Sequence, residues 1–390
     1  MDKLSAGGAA NQSPEQKIAG QRYLSLDVLR GLTIALMVVV NNPGSWGAIY
    51  APFEHAAWHG FTPTDLVFPT FLFVVGNAMV FSMKKLKENS DSEFLTRVFK
   101  RTAMIFLAGL LLTIYPLIKR SGEGDFILKD LSAVRIMGVL QRIAVCYFFA
   151  SLIIRYFTRR GAVIFSILIL FFYWGVMYYF GNPADRYSLE GNAALKFDLL
   201  LIRPENLYHG FGIPFDPEGL LSCLPAIVNV IAGYLTASYI QKNGHTNKTV
   251  LRMALSGAAL LALAWIWNMW FPVNKPIWTS SYVLCAIGWD LVVLASLLLF
   301  IEVLGYKRWT FFFQVFGKNP LFIFIMSAVV VKTMALIRID GKGLQGWIYE
   351  HAFLSWSEGK NASLIFAFAF MLVMWLLAYW MDRKKIYVKV

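Results

Sequence analysis

Residues 24–41 read LSLDVLRGLTIALMVVVN, a run whose only charged side chains are Asp27 and Arg30. A helix needs about 20 mainly apolar residues to cross the hydrocarbon core of a bilayer. Comparable runs recur along the 390 residues of the chain, of which 58% are hydrophobic and only 15% charged. Ordinary globular domains have about 25% charged residues. The sequence therefore predicts an all-α, polytopic membrane bundle and excludes an ordinary soluble domain.

About ten of these runs are predicted to be transmembrane helices. They cover residues 24–41, 62–83, 99–117, 136–156, 161–180, 219–240, 251–271, 278–302, 309–337 and 362–381. The ninth run contains the sequence GKNP at residues 317–320. Because proline removes a backbone donor from a helix, we predict a broken or kinked helix at this point.

Lys and Arg residues are distributed unevenly between the connections that these spans create. If both termini are inside, the inner connections hold most of these residues, whereas the first outer loop, 42–61, holds none. Cytoplasmic loops are enriched in Lys and Arg, so the bias predicts cytoplasmic N and C termini. It also explains the net charge of +13 without a nucleic-acid partner. Residues 1–22 are polar and are predicted to be a disordered cytoplasmic tail, followed by one transmembrane domain over 23–390.

The three cysteines, Cys146, Cys223 and Cys285, lie in or beside apolar runs. They are expected to be small buried hydrophobic residues. The sequence has no CxxC pair and no Cys/His spacing typical of a metal site, so we predict neither a bound metal nor a disulfide framework.

The most informative polar residues are Asn41, His55 and Asp65, which lie before, within and after the first outer loop. Each has an ordinary structural alternative: a helix C-cap, a loop histidine bonded to its neighbours, and an N-cap-like role. A neutral imidazole can accept a proton. A side-chain amide can donate to a carbonyl oxygen, and a carboxylate at a membrane face is costly unless it is used.

Further polar residues lie within the spans or beside them. Asp27 and Arg30 are three residues apart on one helix face, which fits either an intrahelical ion pair or an anion site. Asp216 and Glu218 precede the sixth span, where acidic groups also stabilise a helix N-terminus without any other role. Polar side chains that face lipid are costly, so those inside spans should face the bundle interior or water. They are Gln141, Arg142, Asn229, Asn268, Asp290, Gln314, Lys318, Asn319 and Lys332.

Together, these segments resemble the heparan-α-glucosaminide N-acetyltransferase family and its bacterial members over residues 22–330. The segments are RYLSLDVLRGL, VVVNN, EHAAWHG, TDLVFPTFLFVVGNAM, RIMGVLQRIAVCYF, FDPEG and PVNKPIWTSSYV. The resemblance implies a multi-pass acetyltransferase of the inner membrane, with cytosolic acetyl-CoA as co-substrate. It also implies catalytic roles for His55 and Asn41, and a homodimer. The family has a lysine where this chain has Glu54, and a long N-terminal lumenal region. We therefore expect a bacterial amino sugar or glycan end as acceptor.

The remaining candidate contacts divide between the two expected ligands. The acceptor sugar is expected to contact Asp65, Trp58, Asp216, Glu218, Asn274 and Lys275. CoA is expected to contact Asp27, Arg30, Gln141, Arg142, Arg97, Arg101 and Arg155. Several of these residues have an alternative explanation. Trp58 also fits an aromatic belt at the membrane interface, and the arginines on the predicted inner side also fit the enrichment of Lys and Arg in cytoplasmic loops.

The sequence leaves two alternatives open, one for the route of acetyl transfer and one for the class of protein. Acetyl transfer is expected to be direct, with an acetyl-histidine intermediate as the alternative. An amino-sugar permease would show the same polar core, although the sequence has no visible inverted repeat of the kind many carriers have.

Overall fold

A computed structural model describes residues 23–86, 88–120 and 125–388 of the chain. The predicted tail, 1–22, lies outside the described residues. The rest is mostly helical, as the sequence predicted, with two short two-stranded hairpins added.

Eleven of the thirteen α-helices within the described residues overlap the predicted apolar runs, whereas two short ones, Ala193–Leu201 and Leu344–Ile348, lie between runs. The helices are α1 Leu24–Asn41, α2 Val67–Leu86, α3 Asp91–Ile114, α4 Val139–Tyr156, α5 Arg159–Phe180, α6 Ala193–Leu201, α7 Cys223–Asn243, α8 Asn247–Trp267, α9 Ser280–Leu297, α10 Thr310–Lys318, α11 Pro320–Leu336, α12 Leu344–Ile348 and α13 Gly359–Arg383. A π-helical turn, Leu298–Val303, continues α9, and a short 3₁₀ turn, Pro63–Leu66, leads into α2. The antiparallel strand pairs are β1 Ile118–Arg120 with β2 Phe126–Leu128, and β3 Arg338–Ile339 with β4 Lys342–Gly343.

Within the described residues, eight helices are long and apolar enough to cross a membrane, and a ninth span results if α10 and α11 count as one. Those two helices meet at 83°, which confirms the predicted interruption before Pro320. Helix α3 coincides with the third predicted span but is not among the eight. The helical class is thus confirmed, whereas the number of about ten spans and the orientation of the termini stay predictions.

Small residues allow the helices of the bundle to approach closely. A Cβ added to Gly76 of α2 would lie 1.9 Å from the carbonyl oxygen of Val230 in α7, and one added to Gly233 of α7 would lie 1.9 Å from that of Phe73. Small residues at such crossings are typical of helix packing in membranes. The α2–α7 contact therefore fixes the position of α2, which carries one wall of the site described below.

The bundle has two ends, which we name by the residues that mark them. At the Arg155 end, the guanidinium of Arg155 pairs with Asp91 at 3.0 Å, where α4 ends and α3 begins. At the His55 end, the indole of Trp58 donates to the carbonyl oxygen of Tyr187 at 2.8 Å. Helix α5 joins the two ends, and its 22 residues span about 33 Å at 1.5 Å per residue.

Candidate functional site

A cavity of about 150 Å³ lies at the His55 end of the bundle. It is lined by Met37, Val40, Asn41, His55, Thr64, Val67, Phe68, Phe71, Val139, Ile143, Glu218, Lys275 and Phe324. We call it the first cavity. It brings together four residues that the sequence analysis singled out, although they are far apart along the chain: Asn41, His55, Glu218 and Lys275.

His55 is held in place by the carboxylate of Asp65. The His55 Nδ1 lies 2.7 Å from Asp65 Oδ1, and the side chain of Asp65 is only 1% exposed whereas that of His55 is 50% exposed. Because a carboxylate can only accept, the hydrogen of this bond belongs to Nδ1. The pair therefore leaves the lone pair of the ring on Nε2, which Lys275 Nζ also approaches, at a side chain that is open to a ligand.

The second oxygen of Asp65 organises the loop that carries His55. Asp65 Oδ2 accepts hydrogen bonds from the backbone of Ala56 at 3.1 Å and from the backbone of Thr62 at 3.0 Å. Thr62 and Asp65 form a capping box around the turn Pro63–Leu66. The Asp65 carboxylate thus has two roles. It helps to cap the turn Pro63–Leu66, as the structural alternative predicted, and it also contacts His55.

Lys275 completes a charged cluster with His55 and Asp65. Its Nζ lies 3.0 Å from His55 Nδ1, 3.4 Å from His55 Nε2 and 3.5 Å from Asp65 Oδ1. With the Nδ1 hydrogen directed at Asp65, the ammonium lies against the imidazole and its charge faces the carboxylate. Burial lowers the pKa of Lys275, and the negative charges of Asp65 and Glu218 act in the opposite direction.

Asn274 holds the connection that carries Lys275. Its side-chain oxygen accepts from the backbone of Ile277 at 2.9 Å, and its amide donates to the carbonyl oxygen of Trp58 at 2.8 Å. The backbone of Gly60 also donates to the carbonyl oxygen of Val273 at 2.8 Å. These bonds join the loop of His55 to the loop of Lys275, so Asn274 positions the site from outside the lining of the first cavity.

Asn41 lies at the last turn of α1, is exposed and lines the first cavity. Its side chain makes no hydrogen bond within the described residues. The neighbouring Asn42 is the C-cap residue: its amide donates to the carbonyl oxygen of Val38 at 2.7 Å. The capping role considered for Asn41 therefore belongs to Asn42, and the Asn41 amide is available to a ligand.

Like Asp65 and Asn274, two further predicted acceptor contacts lie outside the lining of the first cavity. The Trp58 ring packs edge-on against Phe211 and Phe215, with ring centroids 6.0 and 5.7 Å apart. Asp216 is buried and accepts from the Arg135 guanidinium at 2.8 Å.

Arg135 is a residue that the sequence analysis did not single out. Its guanidinium bridges Asp216 and Glu218, and both contacts raise the pKa of Arg135. The bridge holds Glu218 at the wall of the first cavity. The available signal for this bridge was an arginine in a predicted outer connection near acidic residues. Its partner lies about eighty positions further along the chain, and a sequence pattern does not show contacts over such a separation.

A second cavity, of about 360 Å³, lies towards the Arg155 end of the bundle. It adjoins the first cavity, because Phe71 and Ile143 line both. Two predicted CoA contacts, Arg30 and Arg101, line it. The guanidinium of Arg101 also lies over the ring of Tyr147, 4.8 Å from its centroid. The second cavity thus combines an apolar wall with two cations.

A third cavity, of about 420 Å³, continues in the same direction, because Arg30, Val74 and Ala78 line both it and the second. Asp27, which pairs with Arg30, also lines it. The three cavities therefore lie in series through the bundle.

Asn77 lines the third cavity and was missed by the sequence analysis. It is only 3% exposed, and neither its amide nitrogen nor its oxygen has a hydrogen-bond partner within the described residues. A buried polar group without a partner is costly, by about 1–3 kcal/mol. An asparagine inside the apolar run of α2 was the available signal, and a ligand or water in the third cavity would satisfy it.

The other predicted CoA contacts are not among the residues that line these three cavities. Arg97 is exposed on α3, and Arg155 pairs with Asp91. Gln141 and Arg142 are buried in α4. The Arg142 guanidinium donates to the carbonyl oxygen of Gly219 at 3.2 Å and packs 4.7 Å from the centroid of the Trp278 ring.

Comparisons with known proteins agree with the family resemblance inferred above. The family model described as "Heparan-alpha-glucosaminide N-acetyltransferase, catalytic" matches residues 22–266. The heparan-alpha-glucosaminide N-acetyltransferase of Homo sapiens is 26% identical over 359 residues, which are 78% of this chain and 52% of the human protein. The protein of the same name from Mus musculus is 25% identical over 378 residues, 83% of this chain and 56% of the mouse protein.

The chain thus spans about half the length of the curated relatives it matches. The family match, in contrast, covers more than half of the 390 residues and includes Asn41, His55 and Asp65. The chain therefore belongs to the heparan-alpha-glucosaminide N-acetyltransferase catalytic family.

Proposed function

We propose that this protein is a transmembrane N-acetyltransferase that moves an acetyl group from acetyl-CoA to the amine of a glucosamine-type sugar. Family membership supports the reaction class. One structural observation carries the proposal for this chain: His55, oriented by the buried Asp65, and the unpaired amide of Asn41 line the same cavity. An amino sugar, free or at the end of a glycan, is the proposed acceptor, and the inner membrane is the proposed location.

His55 is the proposed general base. The amine nitrogen attacks the thioester carbonyl carbon, a C–N bond forms, and the amine proton passes to His55 Nε2. Asp65 keeps the other ring nitrogen protonated and stabilises the imidazolium that forms. When the tetrahedral intermediate collapses, the C–S bond breaks and the CoA thiolate takes the proton from the imidazolium. This is the direct transfer expected from the sequence, with no acetyl group placed on His55.

Asn41 is the proposed donor to the carbonyl oxygen as negative charge develops on it. Its amide is free because Asn42 takes the capping role at the end of α1. A donor placed in advance costs no reorganisation during the reaction, and losing one such donor costs about 10²–10³ in kcat.

The acceptor sugar is proposed to lie against Lys275 and Glu218. Both line the first cavity with His55, and they carry opposite charges. Glu218, held by Arg135, can accept from sugar hydroxyls or the amine. Lys275 can donate to a hydroxyl oxygen while its charge stays beside Asp65.

Acetyl-CoA is proposed to enter from the Arg155 end, which the Lys and Arg bias predicts to be cytoplasmic. The series of three cavities supports a passage for the narrow pantetheine arm, which would run between Phe71 and Ile143 to reach the first cavity. Arg30 and Arg101 are the cations proposed to meet the phosphates, since both line the second cavity.

The test is acetyl transfer by purified protein in proteoliposomes, with labelled acetyl-CoA and glucosamine on opposite sides of the membrane. We expect labelled N-acetylglucosamine from the native protein. We expect a loss of at least about a hundredfold in His55→Ala, since general base catalysis contributes about 10²–10⁴. His209→Ala, which changes an exposed histidine outside the first cavity, is the matched control.

Two outcomes would contradict the proposal. One is native activity in His55→Ala. The other is accumulation of unmodified labelled sugar without acetyl-CoA, which would assign the cavities to a carrier.

A further inference from the structure

A groove on the exposed surface of the bundle lies apart from the three cavities described above. It has a volume of about 910 Å³ and lies between α5, α7, α8 and α9. Its lining residues are Arg159, Arg160, Val163, Ile164, Leu235, Thr236, Tyr239, Arg252, Met253, Leu255, Ser256 and Leu291. None of these lines the first, second or third cavity.

The chemistry of the groove changes with depth. Its cations, Arg159, Arg160 and Arg252, lie near the beginnings of α5 and α8, at the Arg155 end. One turn further into the bundle, the walls are aliphatic, for example at Ile164 and Leu255. At about 1.5 Å per residue, the step from Arg160 to Ile164 is about 6 Å. A cationic mouth thus opens into an apolar slot that runs along the helices towards the His55 end.

The three cations are not used by the protein itself. All three are exposed, and none forms an ion pair within the described residues. Arg155, only four positions before Arg159, does pair with an acid, Asp91. Among the described residues that line the groove there are thus three arginines and no acidic side chain.

Tyr239 provides a second, independent sign of an absent partner. It lines the groove, and its hydroxyl is buried without a hydrogen-bond partner within the described residues. A buried hydroxyl without a partner is costly, and a turn of the Tyr239 ring towards the groove would let it donate to a phosphate or ester oxygen.

We propose that this groove binds one anionic phospholipid, with its phosphate at the three arginines and an acyl chain in the apolar slot. Basic pockets between membrane helices on the cytoplasmic side suit lipid head groups of this kind. A zwitterionic lipid brings its own cation and would leave the three arginines uncompensated. The inference does not depend on the proposed enzymatic activity.

The test compares lipids retained by the full chain after purification and exchange into mixed phosphatidylglycerol and phosphatidylcholine. Native mass spectrometry counts the lipids, and thermal unfolding measures their effect. We expect the native protein to retain phosphatidylglycerol preferentially and to be stabilised by it. In the triple variant Arg159→Gln, Arg160→Gln, Arg252→Gln, the preference should fall at least about tenfold, which corresponds to about 1.4 kcal/mol.

Matched variants separate this site from general charge and from misfolding. Lys100→Gln, Lys307→Gln and Arg308→Gln together remove three exposed cations at the same end but outside the groove, and should keep the preference. Leu255→Trp keeps every charge but fills the slot, and should reduce retention.

Three kinds of result would overturn the inference. One is equal retention of both lipids by the native protein. Another is an unchanged preference in the arginine variant, or an equal loss in the control variant. The third is displacement of the retained lipid by CoA or by glycerol phosphate, which would assign the arginines to a soluble phosphate.

Discussion

At the scale of single residues, adjacent asparagines at the end of α1 have different environments. Asn42 closes the helix through the carbonyl oxygen of Val38, whereas Asn41 points its unpaired amide into the first cavity. One residue is thus part of the fold, and its neighbour is free for chemistry. The pair allows a structural effect and a catalytic effect to be measured at neighbouring positions.

We predict opposite phenotypes for the two alanine variants. Asn41→Ala should lower kcat for acetyl transfer by about 10²–10³ and leave the melting temperature unchanged, because only a transition-state donor is lost. Asn42→Ala should lower stability by about 1 kcal/mol, because it removes a helix-end hydrogen bond, with a much smaller effect on kcat. Turnover and thermal unfolding of the two purified variants check this. A purely structural effect of Asn41→Ala would argue against its role in the reaction.

At the scale of elements, the buried carboxyl group of Asp198 links α6 to the backbone just before α7. Asp198 Oδ1 accepts from the backbone of Leu220 at 2.9 Å, and burial raises the pKa of Asp198 to about 7. In an unfolded chain the pKa of an aspartate is about 3.9. Since the folded value is the higher one, the folded state is favoured while the group is protonated, and stability falls as pH rises towards 7 and through it.

We therefore predict a pH-dependent difference between the native protein and Asp198→Asn. Below about pH 4 the group is protonated in both the folded and the unfolded state and carries no ionisation penalty. Between pH 4 and 8, the melting temperature of the native protein should fall relative to that of Asp198→Asn, which keeps an acceptor oxygen but cannot ionise. If the melting temperatures of the two proteins instead change with pH in the same way, folding does not raise the pKa of Asp198.

The close crossing of α2 and α7 belongs to the same scale. Gly76→Ala would place a methyl group 1.9 Å from the carbonyl oxygen of Val230, so we expect a loss of about 1–3 kcal/mol through displaced backbone. Gly175→Ala in α5 is the matched control, because nothing lies within 4 Å of the added Cβ. Thermal unfolding of both variants measures the difference. Equal stability of the two would mean that α2 and α7 lie further apart than described.

At the scale of the whole molecule, the three cavities in series are the feature on which the proposed donor route depends. Phe71 and Ile143 form the boundary between the first two. Ile143→Trp should narrow that boundary and lower turnover with acetyl-CoA at least tenfold, while the His55 end stays intact. Ile167→Trp, at a lipid-exposed position of α5, is the control. Full activity in Ile143→Trp would require another route for the donor.

The sequence alone predicted features that depend on local pattern, and it missed those that depend on distant contacts. The apolar runs located the helices because membrane-spanning length is a local property, and Pro320 marked the 83° break for the same reason. His55 and Asp65 are ten positions apart and were singled out together. The bridge from Arg135 to Glu218 and the unpaired Asn77 depend on which helices become neighbours, which periodicity does not specify.

The contact between Lys275 and His55 joins positions 220 residues apart. During synthesis, the N-terminal spans and the loop of His55 leave the ribosome well before the connection that carries Lys275. The cluster of lysine, imidazole and carboxylate therefore forms only after most of the chain has been made and the later helices have reached their places. A truncated chain would hold its histidine without its lysine, so a biosynthetic fragment would insert into the membrane with the proposed reactive centre still unassembled.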